Sequence, residues 1–215
     1  MPLQNRVDPW GRLHAVPARG TLMGNRGILH DDNRRIVRPW KGQAWVTCEL
    51  TFKGIQRQPF SKGSHSELFF LDEATALAAG HRPCFHCRPR RFAEFKSSWL
   101  AANRPGADGG FTPITQIDNA LHAERAMRGG RKGVFVARLF ELPDGTMFEM
   151  DGAAFLVWKR ALLAWSFGGY GPPRWVSDTV PDTVSDTRAV DVLTPPSIVQ
   201  MYRRGFVPAV HASAG

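Results

Sequence analysis

The chain has no run of about 18 consecutive apolar residues, so no helical membrane span is expected. Its first segment, Met1 to Gly20, is polar, carries Pro2, Pro9 and Pro17, and lacks the apolar core of a secretory signal. Cysteine is scarce: three in 215 residues, an odd number, with two of them close together. That usage argues against a disulfide framework and fits metal or thiol chemistry in a reducing cytoplasm. Acidic residues are outnumbered, 19 against 28 lysines and arginines. The resulting net charge of +9 and pI near 10.2 are high for an enzyme of neutral metabolites and favour a polyanionic partner. The expected partner is nucleic acid, DNA ahead of RNA, and the expected location is the cytoplasm, nucleoid-associated if the partner is DNA. A basic surface kept for solubility is the plainer alternative. Nothing in the sequence points to a protein partner.

What the chain does have is arginine in clusters. Arg26, Arg34, Arg35 and Arg38 come early, Arg82, Arg88, Arg90 and Arg91 follow, and Arg125, Arg128 and Arg131 come later. Arginine makes bidentate contacts to phosphate and to guanine edges more readily than lysine does. The densest stretch is Gly80-His81-Arg82-Pro83-Cys84-Phe85-His86-Cys87-Arg88-Pro89. Its C-x-x-C turn places two thiols within reach of one tetrahedral zinc ion. The expectation is a metal-pinned turn presenting Arg82, Arg88, Arg90 and Arg91 to phosphate. In Gly24-Asn25-Arg26-Gly27, Asn25 can read a base edge and Arg26 can hold the adjoining phosphate, although an ordinary polar turn accounts for the same residues.

Patterning predicts an α+β fold: an antiparallel sheet with a few helices and an embedded zinc module, all in one domain. Residues 1–20 read as an irregular arm. Alternation over Trp45 to Phe52 predicts a strand with Val46, Cys48, Leu50 and Phe52 on its buried face. Leu68 to Leu71 is a short strand, and Asp72 caps a helix over Glu73 to Ala79 that Gly80 ends. Helices are predicted over 90–102 and 113–127, with Gly129-Gly130 breaking the second. Strands are expected over 133–142, 147–150 and 153–158, with Pro143-Asp144-Gly145 as a hairpin turn. Residues 160–165 suit strand or helix, and 168–174 read as a Gly/Pro loop. The DTV repeat over 178–188 reads as an acidic mobile loop, followed by a last helix from Thr194.

The run Phe69-Phe70-Leu71-Asp72-Glu73-Ala74-Thr75-Ala76-Leu77-Ala78-Ala79-Gly80-His81-Arg82-Pro83-Cys84-Phe85-His86-Cys87 resembles the second half of the zinc-binding domain of the Ada adaptive-response DNA repair proteins. An aromatic strand, a helix ending in Ala-Gly, and Arg-Pro-Cys-x-x-Cys occur in the family's order. The resemblance is strong over 69–89 and weaker over about 44–102. It implies DNA repair, a bound zinc ion and Cys84 and Cys87 as ligands, with Cys48 matching the family's first pair. Four cysteines bind zinc in that family, and one accepts a methyl group from a DNA phosphotriester. Here Phe52 stands where the C-x-x-x-C partner of Cys48 belongs. The fourth ligand is therefore open between His65, His81, His30 and water, with His86 turned away from the metal. A buried core thiol at Cys48 and a metal-free turn are the plainer alternative.

One further constellation carries chemistry. Asp118 and His122 are four residues apart on the predicted second helix and can form a carboxylate–imidazole pair for acid–base catalysis; an exposed ion pair is the commoner explanation. The H-x-E motif of zinc deaminases is absent, as is a helix-turn-helix signature. The expected function is a DNA-binding repair or modified-base processing enzyme of the glycosylase type, a hydrolase, over a structural zinc turn. The alternatives are a stoichiometric alkyl acceptor on Cys48 and a non-catalytic zinc-containing DNA-binding protein.

Overall fold

The structure is a computed structural model that describes residues 1–54, 58–106, 111–175 and 187–215. The chain opens with two short strands, β1 (Arg6–Val7) and β2 (Leu13–His14), where the sequence suggested an irregular arm. They join β3 (Leu22–Asn25), β4 (Val46–Cys48), β5 (Leu68–Phe70) and β6 (Arg82–Pro83) in a mixed sheet of order β2-β1-β5-β3-β4-β6. Helix α1 (Glu73–Ala78) leaves β5, α2 (Pro89–Asn103) follows the cysteine turn, and α3 (Ile114–Arg125) comes next. The second sheet is antiparallel. It takes β7 (Phe135–Arg138), β8 (Met147–Met150), β9 (Ala153–Trp158), β10 (Ala161–Ser166), β11 (Gly169–Trp175) and β12 (Ala189–Val192) in the order β11-β10-β9-β8-β12-β7. Helix α4 (Pro196–Arg203) closes the architecture, which is α+β with two mostly antiparallel sheets and four helices among the described residues.

Helix α1 sits at the centre, and its composition explains how. All six of its residues are buried. Ala74 and Ala78 pack on Met147, Leu156 and Leu163 of the second sheet. Ala76 meets Leu68 and Phe70 of the first sheet, and Leu77 faces Phe95, Ile117 and Met201 of the other helices. Alanine lets neighbours close in from every side at little helical cost. The predicted cap is present: Asp72 Oδ1 accepts from the Thr75 amide at 2.8 Å, and Gly80 leaves the helix at φ +84°.

Several expectations need correction. Strand β4 is only three residues long, and its buried face is the reverse of the predicted one: Trp45 and Thr47 are inside, whereas Val46 and Cys48 are half-buried and Leu50 is exposed. Pro143-Asp144-Gly145 does form a tight turn, but β7 and β8 are not hydrogen-bonded partners because β12 lies between them. The hairpin turns of this sheet are Asp151-Gly152 and Lys159-Arg160, all four residues at positive φ, and Phe167-Gly168 between β10 and β11. Residues 169–175 are strand rather than loop; Pro172 and Pro173 are tolerated because β11 is an edge strand. The predicted loop at 178–188 lies outside the described residues up to 186.

Candidate metal centre and its surroundings

Two parallel strands bring the three cysteines together. β4 and β6 pair in register Val46 with Arg82 and Thr47 with Pro83, and the Cys84 amide donates to the Thr47 carbonyl at 2.9 Å. Cys48 and Cys84 therefore leave the sheet side by side. The turn then closes through the Arg88 amide on the Cys84 carbonyl at 3.1 Å, and Pro89 starts α2 where its missing N–H costs nothing. The sulfurs of Cys48, Cys84 and Cys87 all lie within 4.8 Å of one another. Tetrahedral zinc with Zn–S bonds of about 2.3 Å needs sulfurs roughly 3.8 Å apart, so the cluster fits such an ion.

The thiols share their protons unequally. Hydrogen bonding from Cys48, helped by backbone amides, holds the Cys84 thiol down to about 4 against the opposing effect of burial. Cys48 is pushed up, first because it donates to Cys84 and then by burial; burial also raises Cys87. A divalent cation bound here would displace the remaining thiol protons.

None of the histidines proposed as fourth ligand joins this set among the described residues. His81 is fully buried, and its Nε2 accepts from Arg26 Nε at 3.1 Å. His30 stacks on Phe60 and bonds Ser66, and His65 lies 3.9 Å from Glu67. His86 packs edge-on to Phe52. The donors present are three thiols, which leaves one position of a tetrahedron to water or to a bound group.

The arginines around the turn are spent mostly inside the protein. Arg82 is buried on Asp118. Arg88 reaches Glu73 at 3.0 Å, Glu49 at 3.2 Å and the Thr47 hydroxyl at 2.9 Å. Arg91 binds Glu73 at 2.6 Å and Glu94 at 2.8 Å. Burial alone would raise the Glu73 carboxyl, but Arg91, the Ala209 amide and Arg88 outweigh it and hold the group low. Arg90 is exposed. Arg88, Arg90 and Arg91 nonetheless edge a cleft of about 550 Å³ whose wall also includes Glu49 and Cys87.

The remaining predicted residues lie elsewhere. Asn25 closes an Asx turn, its Oδ1 accepting from the Gly27 amide at 2.6 Å, which is the ordinary-turn reading. Arg26 is buried rather than presented on the surface. Asp118 and His122 do not form the expected pair: both Asp118 oxygens accept from Arg82, and the His122 ring lies edge-on to Trp40 and Trp45. Sequence reasoning named Arg26 and Arg125 only as members of arginine clusters and missed Lys132 and the convergence of all three around Trp45; the only hint was the frequency of Trp and Arg in those segments.

Among the described residues no helix is long and apolar enough to cross a membrane. The chain matches no family model, no curated protein and no solved structure.

Proposed function

We propose that the protein binds zinc through Cys48, Cys84 and Cys87 and works on nucleic acid, as a DNA repair protein, at the arginine-edged cleft beside that centre. The observation that carries this reading is the convergence of three thiols, one of which, Cys87, lines a cleft together with Arg88, Arg90 and Arg91. Bound zinc would keep the thiols deprotonated, and a zinc-bound thiolate stays nucleophilic. The net charge of +9 supplies the attraction to a polyanion.

The reaction this geometry favours is alkyl acceptance rather than glycosidic cleavage. Asp118 is occupied by Arg82, so the carboxylate of the acid–base pair is lost. Cys48 comes from a different strand than the C-x-x-C turn and is half-buried. Its sulfur would attack the methyl carbon of a phosphotriester; an S–C bond forms, the C–O bond breaks, and the phosphodiester leaves as an anion. The experiment is elemental analysis of wild type and Cys84→Ser, followed by mass spectrometry of protein exposed to methyl-phosphotriester DNA. One zinc per chain, lost in the variant, and a single methyl gain on Cys48 are expected. Zinc without methyl gain would reject the reaction, and no zinc would reject the centre.

A further inference from the structure

A second site lies at the opposite end of β4 from Cys48. Trp45, one residue before that strand, carries two guanidinium groups over its indole ring: Arg26 at 4.2 Å and Arg125 at 4.0 Å from the centroid. Both arginines are 2% exposed. Arg26 donates to His81 and to the Gly11 carbonyl, and Arg125 donates to the Gly80 and Gln43 carbonyls. Lys132 joins them, its Nζ on the Ala78 carbonyl at 2.6 Å. Arg26 Nη2 and Arg125 Nε are buried without a hydrogen-bond partner among the described residues. An unpartnered buried donor on a charged group is costly, which makes two of them a pointer to a missing acceptor.

Among the described residues no carboxylate is hydrogen-bonded to these groups. The nearby acids are committed elsewhere: Asp8 to His14 and the Arg12 amide, Asp118 to Arg82, Glu124 to Ser197. Asp8, Asp118 and Glu124 pull on these cations without outweighing their burial, and buried cations incompletely compensated in this way are expensive. The strain registers in Lys132, which burial, reinforced by Arg125 and Arg26, brings down to about 7. Burial likewise lowers Arg26 and Arg125 to about 9.

The space fits an occupant. Arg26, Arg125 and Lys132 line a recess of about 30 Å³. That is room for a few water-sized atoms, such as the oxygens of an oxyanion. The recess shares Trp10, Arg26, Arg131 and Lys132 with an outer chamber of about 650 Å³. The chamber has apolar walls from Leu13, Ile36, Val37 and Val134 and further cations in Arg12, Arg38 and Arg131, with no acidic side chain in its lining among the described residues. Its volume is that of a small-molecule site.

We propose that this chamber binds a phosphate monoester of nucleotide size, with the phosphate on Arg26, Arg125 and Lys132 and the organic part against the apolar walls. Three cations match a dianion better than a carboxylate, and the apolar outer chamber calls for more than inorganic phosphate. A monoester phosphate is carried by a free mononucleotide or by the 5′ end of a strand. The site is separate from the cysteines and stands whether or not they hold zinc.

Calorimetry on the full chain at fixed ionic strength tests it with 5′-dAMP, deoxyadenosine, and a dodecathymidylate with or without a 5′-phosphate. Saturable one-to-one binding is expected for dAMP or for the phosphorylated strand, and which of them binds identifies the source. Loss of the phosphate should weaken binding at least about 10-fold, as should Lys132→Met, in line with the strength of hydrogen bonds to charged groups. Arg131→Ala, an exposed rim position, gives the same readout where the buried change disturbs folding. The proposal is overturned if neither phosphorylated probe binds, if the phosphate makes no difference, or if both variants bind as wild type does. The zinc reading is tested by metal content and methyl gain, not by dAMP binding, so failure here and failure of that reading are distinguishable.

Discussion

Arg82 and Asp118 are joined by two parallel hydrogen bonds, Nε to Oδ1 at 2.7 Å and Nη2 to Oδ2 at 2.8 Å, with both side chains buried. The pair ties β6, two residues before Cys84, to the middle of α3. It gives Asp118 a holding role in place of the expected catalytic one. Removing one partner of a buried pair leaves an uncompensated charge, so Asp118→Ala should cost about 3–5 kcal/mol. Arg82→Met with Asp118→Leu should cost much less, because no charge is stranded. Urea denaturation of both variants checks this, and equal losses would show that packing, not charge, holds the joint.

Gly80 is the point where α1, the cysteine turn and Arg125 meet. Its φ of +84° is a left-handed conformation, and a Cβ there would stand 2.2 Å from Arg125 Cδ. Gly80→Ala therefore combines backbone strain of about 1–2 kcal/mol with a clash that displaces a buried arginine. A loss above about 2 kcal/mol is expected, together with weaker dAMP binding. A variant as stable as wild type with unchanged binding would mean that Arg125 does not need its present position.

The parts of the fold that the sequence discloses are those decided locally. Asp72, the alanine run and Gly80 specify α1 within a few residues, and short apolar stretches bounded by turn residues locate β8 and β9. The thiol cluster was legible because C-x-x-C fixes two ligands and the chain holds only one other cysteine. What was not legible depends on distant partners. Nothing between Phe135 and Met150 signals that β12 will slot between β7 and β8. The buried face of β4 follows from Trp45 receiving two arginines, one from β3's end and one from α3. For the same reason, clustered arginines looked like a phosphate grip, whereas Glu73 and Asp118 claim three of them.

Metal removal should loosen one specific place. The Arg88 amide bond to Cys84 and the start of α2 depend on a turn whose thiols would otherwise share protons. Chelation of the zinc-loaded protein is expected to lower the melting temperature and to speed hydrogen exchange of amides 84–92, while the amides of β9 and β10 stay protected. Uniform exchange across the chain would instead indicate that the metal holds the entire fold.

The pH response should carry the signature of Lys132. An unfolded lysine titrates near 10.4, whereas burial with Arg125 and Arg26 places the folded group at about 7, against weaker opposing pulls from Glu124 and Asp8. Between those values the unfolded chain binds a proton that the folded chain does not, so stability rises with pH across that window. Below about 7 both states are protonated and the contribution stops changing. Above about 10 the buried Tyr170 and Tyr202, whose ionisation is strongly disfavoured, reverse the trend, so the useful range ends near 9.5. Urea denaturation of wild type and Lys132→Met at pH 7 to 9.5 isolates the effect, which is at most about 1.4 kcal/mol per pH unit for one proton. Wild type should gain on the variant as pH rises, and saturating dAMP should flatten the difference by restoring the ammonium's counter-charge. Parallel curves without ligand would mean that Lys132 is already neutralised by a group in the free protein.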